Sequence, residues 1–364
     1  MSRPLHDLLN AGVRAGLYPG CAAGWSVDEN TVEVHTDSAG VSHLGPGGEA
    51  ATPDTLYDLA SLTKPLVVTT LFLLARRLGG LDLDLEVGDI LCNVGAYRSA
   101  TMEHLLTHTA GIPGWAPLYA SGRAPDEVLA AISNLRPVGL PGRQVEYSCP
   151  GFILLGLVLE EVFGEDLSTA FIRLVSEPLK LDDDLGLNPG TSDYSIAGGA
   201  TSPGVENQLV RDLGLDPTTI PLWRLGFPDD GNSRFLGGVA GNSGLFGTVR
   251  GVVQLAREYL VGGGRLLEGA DADLAATCRT PHLEQHRGLG WQIASSPGCS
   301  AGPVISPDSI GHVGFTGTSL WIDRHQGSIM ALLSNRHHRG HRSTDLHPLR
   351  RRFNALVWGS CRAE

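Results

Sequence analysis

Strand-forming stretches lie at the two ends of this chain and helix-forming stretches fill its middle, which restricts the fold more than any single motif does. Leu5, Leu8, Leu9 and Val13 recur at helical spacing within residues 1–17. Residues 21–27 and 31–35 then read as two strands joined by the polar turn Asp28-Glu29-Asn30. Strand signals return only at 288–294, 318–323 and 328–334, the last two flanking Arg324-His325-Gln326-Gly327 as a hairpin turn. Between them, 101–107, 125–134, 152–163 and 167–174 read as helices, and a final helix is expected over 347–358. Neither terminal group of strands makes a sheet that buries a core alone, so the two are expected to share one sheet with the helical region inserted. The predicted class is α/β (α+β), with a mainly antiparallel sheet lobe from 1–80 and 239–364 and a helical lobe from 81–238. Residues 182–235, rich in Gly, Pro, Asp and Thr with little periodicity, read as a long loop covering a functional cleft.

The net charge is −12 and the arginines are scattered, which argues against a nucleic-acid groove and against a basic membrane-binding face. The longest apolar runs, 152–159 and 71–75, fall far short of the ~18 residues of a spanning helix, and no secretory signal opens the chain. The expectation is a soluble, cytoplasmic protein with a small-molecule partner. Six cysteines, far apart and without a C-x-x-C pair, suggest free buried thiols rather than a zinc knuckle or a disulfide framework.

Only two lysines occur, Lys64 and Lys180, and Lys64 follows Ser61 by three residues. Arginine keeps its proton at every accessible pH, whereas a buried lysine can lose one and act as a base. Leu66, Val67, Thr70, Leu71, Leu74 and Leu78 recur at helical spacing until Gly79-Gly80, which places Ser61 at a helix start with Lys64 on the same face. A serine hydroxyl attacks only when a neighbour removes its proton, and the field at a helix N-terminus favours the developing alkoxide. The plainer alternative is a serine cap followed by a surface lysine. Lys180, just after an expected helix, reads as a surface residue.

Further segments bear on that choice. Leu56-Tyr57-Asp58-Leu59-Ala60-Ser61-Leu62-Thr63-Lys64, Leu105-Leu106-Thr107-His108-Thr109-Ala110-Gly111-Ile112-Pro113 and Glu146-Tyr147-Ser148 with Gly151-Phe152-Ile153-Leu154-Leu155-Gly156 follow in order. Gly237-Gly238-Val239-Ala240-Gly241-Asn242-Ser243-Gly244-Leu245-Phe246 and His312-Val313-Gly314-Phe315-Thr316-Gly317 come after them. The series resembles serine β-lactamases and penicillin-binding-protein-like hydrolases, especially the class C enzymes and their esterase relatives. The resemblance implies a sheet of about five strands, a cleft between the two lobes, and acyl transfer through a covalent acyl-Ser61 enzyme with water as acceptor. It makes Lys64 the proton acceptor and Tyr147 the phenol that shuttles the proton to the leaving group. It also places His312, Gly314 and Phe315 at the substrate wall, with the amides of Ser61 and Phe315 as oxyanion hole. No metal or organic cofactor is implied.

Two departures bear on substrate. Tyr147-Ser148-Cys149 stands where the lactamase pattern is Tyr-x-Asn, and His312-Val313-Gly314 where it is Lys-Thr-Gly. The first lacks an amide for an acylamino group and the second a fixed cation and hydroxyl for a carboxylate, unless Arg211, Arg224 or Arg234 reaches in from the covering loop. Small esters are therefore the expected substrates, with β-lactams or D-Ala-D-Ala peptides as the alternative. A non-catalytic binding or sensory protein is the rival of another class. Other candidates carry less. His337, His338, His341 and His347 are interleaved with arginines and read as a solvated loop rather than a metal tract. His104 and His108 suit helix packing or a hydrogen-bonded turn, and Trp291 either lines the cleft or packs the sheet.

Overall fold

All seven residues of the strand Ser328–Ser334 are buried, the pattern of a strand covered on both faces. It lies near the centre of a computed structural model that describes residues 3–27, 33–45, 47–121, 123–190, 195–198, 203–338 and 345–360. In chain order the strands are β1 Gly20–Ser26, β2 His35–Gly40, β3 Tyr57–Asp58, β4 Leu185–Leu187 and β5 Leu245–Gly247, then β6 Gln292–Ile293, β7 Ile310–Val313, β8 Ser319–Asp323 and β9 Ser328–Ser334. Six of them form one antiparallel sheet in the order β2-β1-β9-β8-β7-β6, so the two ends of the chain do meet, with Cys21 opposite Ser334 and Ser26 opposite Ile329. β3, β5 and β4 make a small second sheet.

Successive side chains of a strand face opposite ways, and the two cores follow that alternation. Met330 and Leu332 of β9, with Cys21, Ala23 and Trp25 of β1, pack beneath the first helix, Arg3–Arg14, and the last, His347–Ser360. Ile329, Ala331 and Leu333 join the larger core on the other face, which runs through the helices Val249–Ala256, Thr70–Arg77 and Cys149–Phe163. Gly24 lets the first of these three approach β1, since a Cβ there would come within 2.9 Å of Val249 Cβ. The helix Cys149–Phe163 runs through the larger core, and of its first turn Cys149 alone lines the cavity described below.

Several expectations need correction. The second strand lies at 35–40 rather than 31–35, while Thr31, Val32 and the turn Asp28-Glu29-Asn30 lie outside the described residues. Of 288–294 only Gln292–Ile293 is strand, because Gly290 turns the chain with φ +71°. The main sheet has six strands rather than about five. Residues 182–235 hold β4 and the helices Pro203–Asp212 and Gly231–Phe235, so they are not a plain loop. Among the described cysteines only Cys21 is fully buried and Cys92 is exposed; Cys361 lies outside them. Trp291 is buried edge-on against Tyr259, with ring centroids 4.9 Å apart, and packs the core instead of lining the cleft. Lys180 is exposed. No described helix is long and apolar enough to cross a membrane, and no described group of three or more His, Cys, Asp or Glu is placed to hold a metal. His341 lies outside the described residues.

Candidate active site

Ser61 sits in a single 3-10 turn, Ala60–Leu62, ahead of wide helical turns over Lys64–Thr69 and a regular α-helix only from Thr70. Ala60 takes a left-handed conformation with φ +51°, a state that costs about 1–3 kcal/mol in a residue with a Cβ and persists only where the surroundings enforce it. They do so here. Asp58 Oδ1 accepts from Ala60 N at 2.9 Å, Thr63 Oγ1 donates to Ala60 O at 2.6 Å, and Leu59 N donates to Leu245 O at 2.9 Å. From the other side, Thr316 Oγ1 donates to Asp58 O at 2.7 Å and Thr318 Oγ1 to Leu59 O at 3.3 Å. The segment that carries His312 thus clamps the one that carries Ser61. Gly314 permits the close approach, since a Cβ there would overlap Thr318 Oγ1 and lie 2.8 Å from Leu59 O.

Lys64 is completely buried, and its Nζ donates to Ser61 Oγ at 3.1 Å, to Asn242 O at 3.1 Å and to Cys149 Sγ at 3.6 Å. Cys149, in the place of an amide, still supplies an acceptor. Burial pulls the Lys64 ammonium down, but the neighbouring Cys149 thiol and Tyr147 phenol favour the cation, and the net shift is upward. Burial also pushes the Cys149 thiol up, against the pull of Lys64. The resting pair is therefore an ammonium beside a thiol.

Tyr147 stands over Lys64, with Nζ 4.9 Å from its ring centroid. Its neighbours on either side are pinned to the loop around His108, where Glu146 N donates to His108 O at 2.8 Å and Ser148 N to His108 Nδ1 at 3.0 Å. Ser148 then caps the helix Cys149–Phe163 by accepting from Gly151 N at 2.9 Å. The rings of His108 and His312 flank Tyr147 at centroid distances of 4.5 and 5.8 Å. Both histidines fall well below their ordinary pKa, first through burial and then through Lys64 and Arg287, so both are neutral at pH 7. Arg287 lies 5.7 Å from the Tyr147 centroid, and burial lowers it to about 10, which still leaves it charged.

Ser61, Tyr147, Cys149, His312, Gly314 and Phe315 line one cavity of about 600 Å³, with Lys64 immediately behind its floor. Among the described residues the Phe315 amide makes no hydrogen bond. The Phe315 ring stacks on His337 at 4.0 Å, and Leu44 N donates to His338 Nε2 at 3.2 Å. His104 caps its own helix start by bonding Thr101 at 3.0 Å. Of the three arginines considered in 182–235, Arg211 and Arg224 do not reach the cavity. Arg234 is spent on Pro221 O, Pro228 O and Glu206. The cations that do line it are Arg287, Arg336 and Arg350, which sequence reasoning missed because they come from unrelated parts of the chain. Asn242, within a recognised segment, was visible, but not the use of its carbonyl.

A serine bonded to a buried lysine, beside a tyrosine on one cavity, is the arrangement expected of serine hydrolases of the β-lactamase fold. The chain matches the beta-lactamase family over residues 8–355 and belongs to that family. It is 27% identical over 315 residues, 79% of this chain and 70% of the other, to an Escherichia coli (strain K12) protein named "Putative D-alanyl-D-alanine carboxypeptidase". Among solved structures it resembles EstCE1, a hydrolase with promiscuous acyltransferase activity, with a TM-score of 0.75 at 21% identity, covering 98% of this chain and 97% of that one. The octameric penicillin-binding protein homologue from Pyrococcus abyssi gives a TM-score of 0.74 at 19% identity, covering 98% and 77%.

Proposed function

We propose that this protein hydrolyses small esters through an acyl-Ser61 intermediate. The observation that carries the reading is the 3.1 Å contact of Lys64 Nζ with Ser61 Oγ beneath Tyr147 in an open cavity. Lys64 first releases its ammonium proton to solvent and then takes the Ser61 proton as Oγ bonds to the acyl carbon, with Tyr147 beside it to relay that proton. The amides of Ser61 and Phe315 receive the carbonyl oxygen's charge. Tyr147 hands the proton to the departing alcohol, and water repeats the sequence in reverse to release the acid. Trp115, Val205 and Leu209 give the cavity apolar surface for the ester's carbon chain.

One observation favours a second reading, a carboxypeptidase acting on D-Ala-D-Ala-like peptides. Arg287 is 94% buried, faces the same cavity and leaves its Nε unpartnered among the described residues, as a carboxylate partner would require. The test compares kcat/KM for p-nitrophenyl butyrate, nitrocefin and an acyl-D-Ala-D-Ala peptide, beside fluorophosphonate labelling of Ser61. Esters faster by several powers of ten support the first reading, and a peptide or nitrocefin turned over as fast moves the protein to the second. A folded protein whose Ser61 does not label is the non-catalytic homologue.

A further inference from the structure

One side of the cavity is oversupplied with carboxyl groups. Glu206 comes from the helix Pro203–Asp212, Asp229 and Asp230 precede the helix Gly231–Phe235, and all three line the cavity that holds Ser61. Asp58 lies just behind, accepting from Ala60 N and, through Oδ2, from Asp229 N at 2.7 Å. A single carboxylate thus links the wall to the Ser61 turn, and both face the same cavity. Its cations do not match its acids. Arg234 pairs with Glu206 at 3.4 Å and its charge also reaches Asp58 and Asp229, while the Arg336 charge reaches Asp229 and Asp345, so two cations serve four buried or half-buried acids. Asp230 is engaged as a cap, accepting from Ser233 N at 2.7 Å. Asp229 is 91% buried, yet its Oδ2 has no hydrogen-bond partner among the described residues.

Burying carboxylates without enough cations makes them hold protons instead. Burial raises Glu206 to about 7 and Asp58 to about 6, and burial with the Asp58 charge drives Asp229 well above its ordinary range. A cation entering the cavity would relieve this. The described carboxylates are not grouped to ligate a metal, which leaves an organic cation.

We propose that Asp229, with Glu206 and Asp230, forms a subsite for the ammonium group of an aminoacyl ester or amide whose carbonyl is attacked by Ser61. The proposal rests on the acyl-Ser61 reading and narrows its acyl group to one with an amine close to the carbonyl. Charge-assisted hydrogen bonds to such an ammonium favour the free amine over its N-acetyl derivative by roughly ten- to a hundredfold.

The test measures kcat/KM at pH 7 for D- and L-alanine methyl esters and for their N-acetyl derivatives, with p-nitrophenyl butyrate and fluorophosphonate labelling alongside. At least one enantiomer should show a tenfold or greater preference for the free amine, and that ratio should fall towards one in Asp229→Asn. Glu206→Gln, which keeps an acceptor for Tyr119, is the second variant if Asp229→Asn does not fold. A wild-type ratio of one or less, or a preference that survives both substitutions, overturns the subsite. If butyrate and N-acetyl esters are hydrolysed without any preference, only the subsite fails. If no ester is hydrolysed and Ser61 does not label, the acyl-enzyme reading fails and the subsite falls with it.

Discussion

The two sides of the cavity handle their polar groups in opposite ways. At the Ser61 turn, Lys64 has three acceptors, and the backbone from Asp58 to Ala60 is tied down by Thr63, Thr316, Thr318 and Asp58 itself. At the acidic wall, Glu206 and Asp229 lack enough positive charge, and one oxygen of Asp229 bonds to nothing described. Groups that act on every substrate can be satisfied before it arrives, so that none needs reorganising during reaction. Groups that recognise one part of a ligand are satisfied only when it binds, and the free protein carries the cost of leaving them open.

The contrast breaks most completely at Lys64. Lys64→Arg keeps a positive charge but cannot take up a proton, so ester turnover and fluorophosphonate labelling should fall as far as in Ser61→Ala. Activity retained in folded Lys64→Arg would remove the lysine from the proton path. Tyr147→Phe keeps the ring between His108 and His312 and deletes only the phenol, with an expected loss of ~10²–10⁴-fold in kcat/KM. Near-wild-type rates on several esters would leave Tyr147 a packing residue.

The pinned side was far more legible in the sequence than the open side, for a physical reason. Ser61, Lys64, Tyr147, His312, Gly314 and Phe315 lie in short segments whose order and spacing the chain itself displays, and folding brings those segments onto one cavity. Asp229, Glu206 and Arg287 acquire their environment only from tertiary contacts, in stretches with no periodicity. The same limit applied to the fold. β9 and β8 announce themselves by runs of apolar residues buried on both faces, whereas β2, His-Thr-Asp-Ser-Ala-Gly, is polar and small and becomes an edge strand only by pairing with β1. β7 carries a glycine and a histidine in four residues and showed no strand pattern at all.

Thr316 tests whether the pinning matters at intermediate strength. Thr316→Val removes the 2.7 Å bond to Asp58 O and leaves a buried carbonyl unpaired, at a cost of about 1–3 kcal/mol of stability. If the bond holds Ala60 and Ser61 in their strained turn, kcat should fall roughly tenfold with little change in KM, in proportion to about 1.4 kcal/mol per decade. A stability loss without any change in kcat would make Thr316 a purely structural tie.

The smallest expected effect separates a carboxyl raised by its surroundings from an ordinary ion pair. Glu206 bonds Tyr119 and Arg234, and a simple pair with Arg234 would hold its pKa below the unfolded value. Stability from such a pair would be present above pH 4.5 and lost as pH falls. Here burial, followed by the Asp230 charge, raises Glu206 to about 7, which reverses the sign. The folded protein binds the Glu206 proton more tightly than the unfolded chain does, so this group's contribution declines as pH rises from its unfolded pKa to about 7 and is level above that. Neutral His108 and His312 work in the opposite direction, losing stability on acidification, so the whole protein's profile mixes both. The difference between wild type and Glu206→Gln isolates the carboxyl. Between about pH 5.5 and 7.5 the variant should gain on wild type by about 1–2 kcal/mol in urea unfolding. A difference that stays level over this interval, with wild type losing ground only below about pH 4.5, would show Glu206 to be satisfied by Arg234 alone, and the two sides of the cavity would then differ in composition but not in how they are paired.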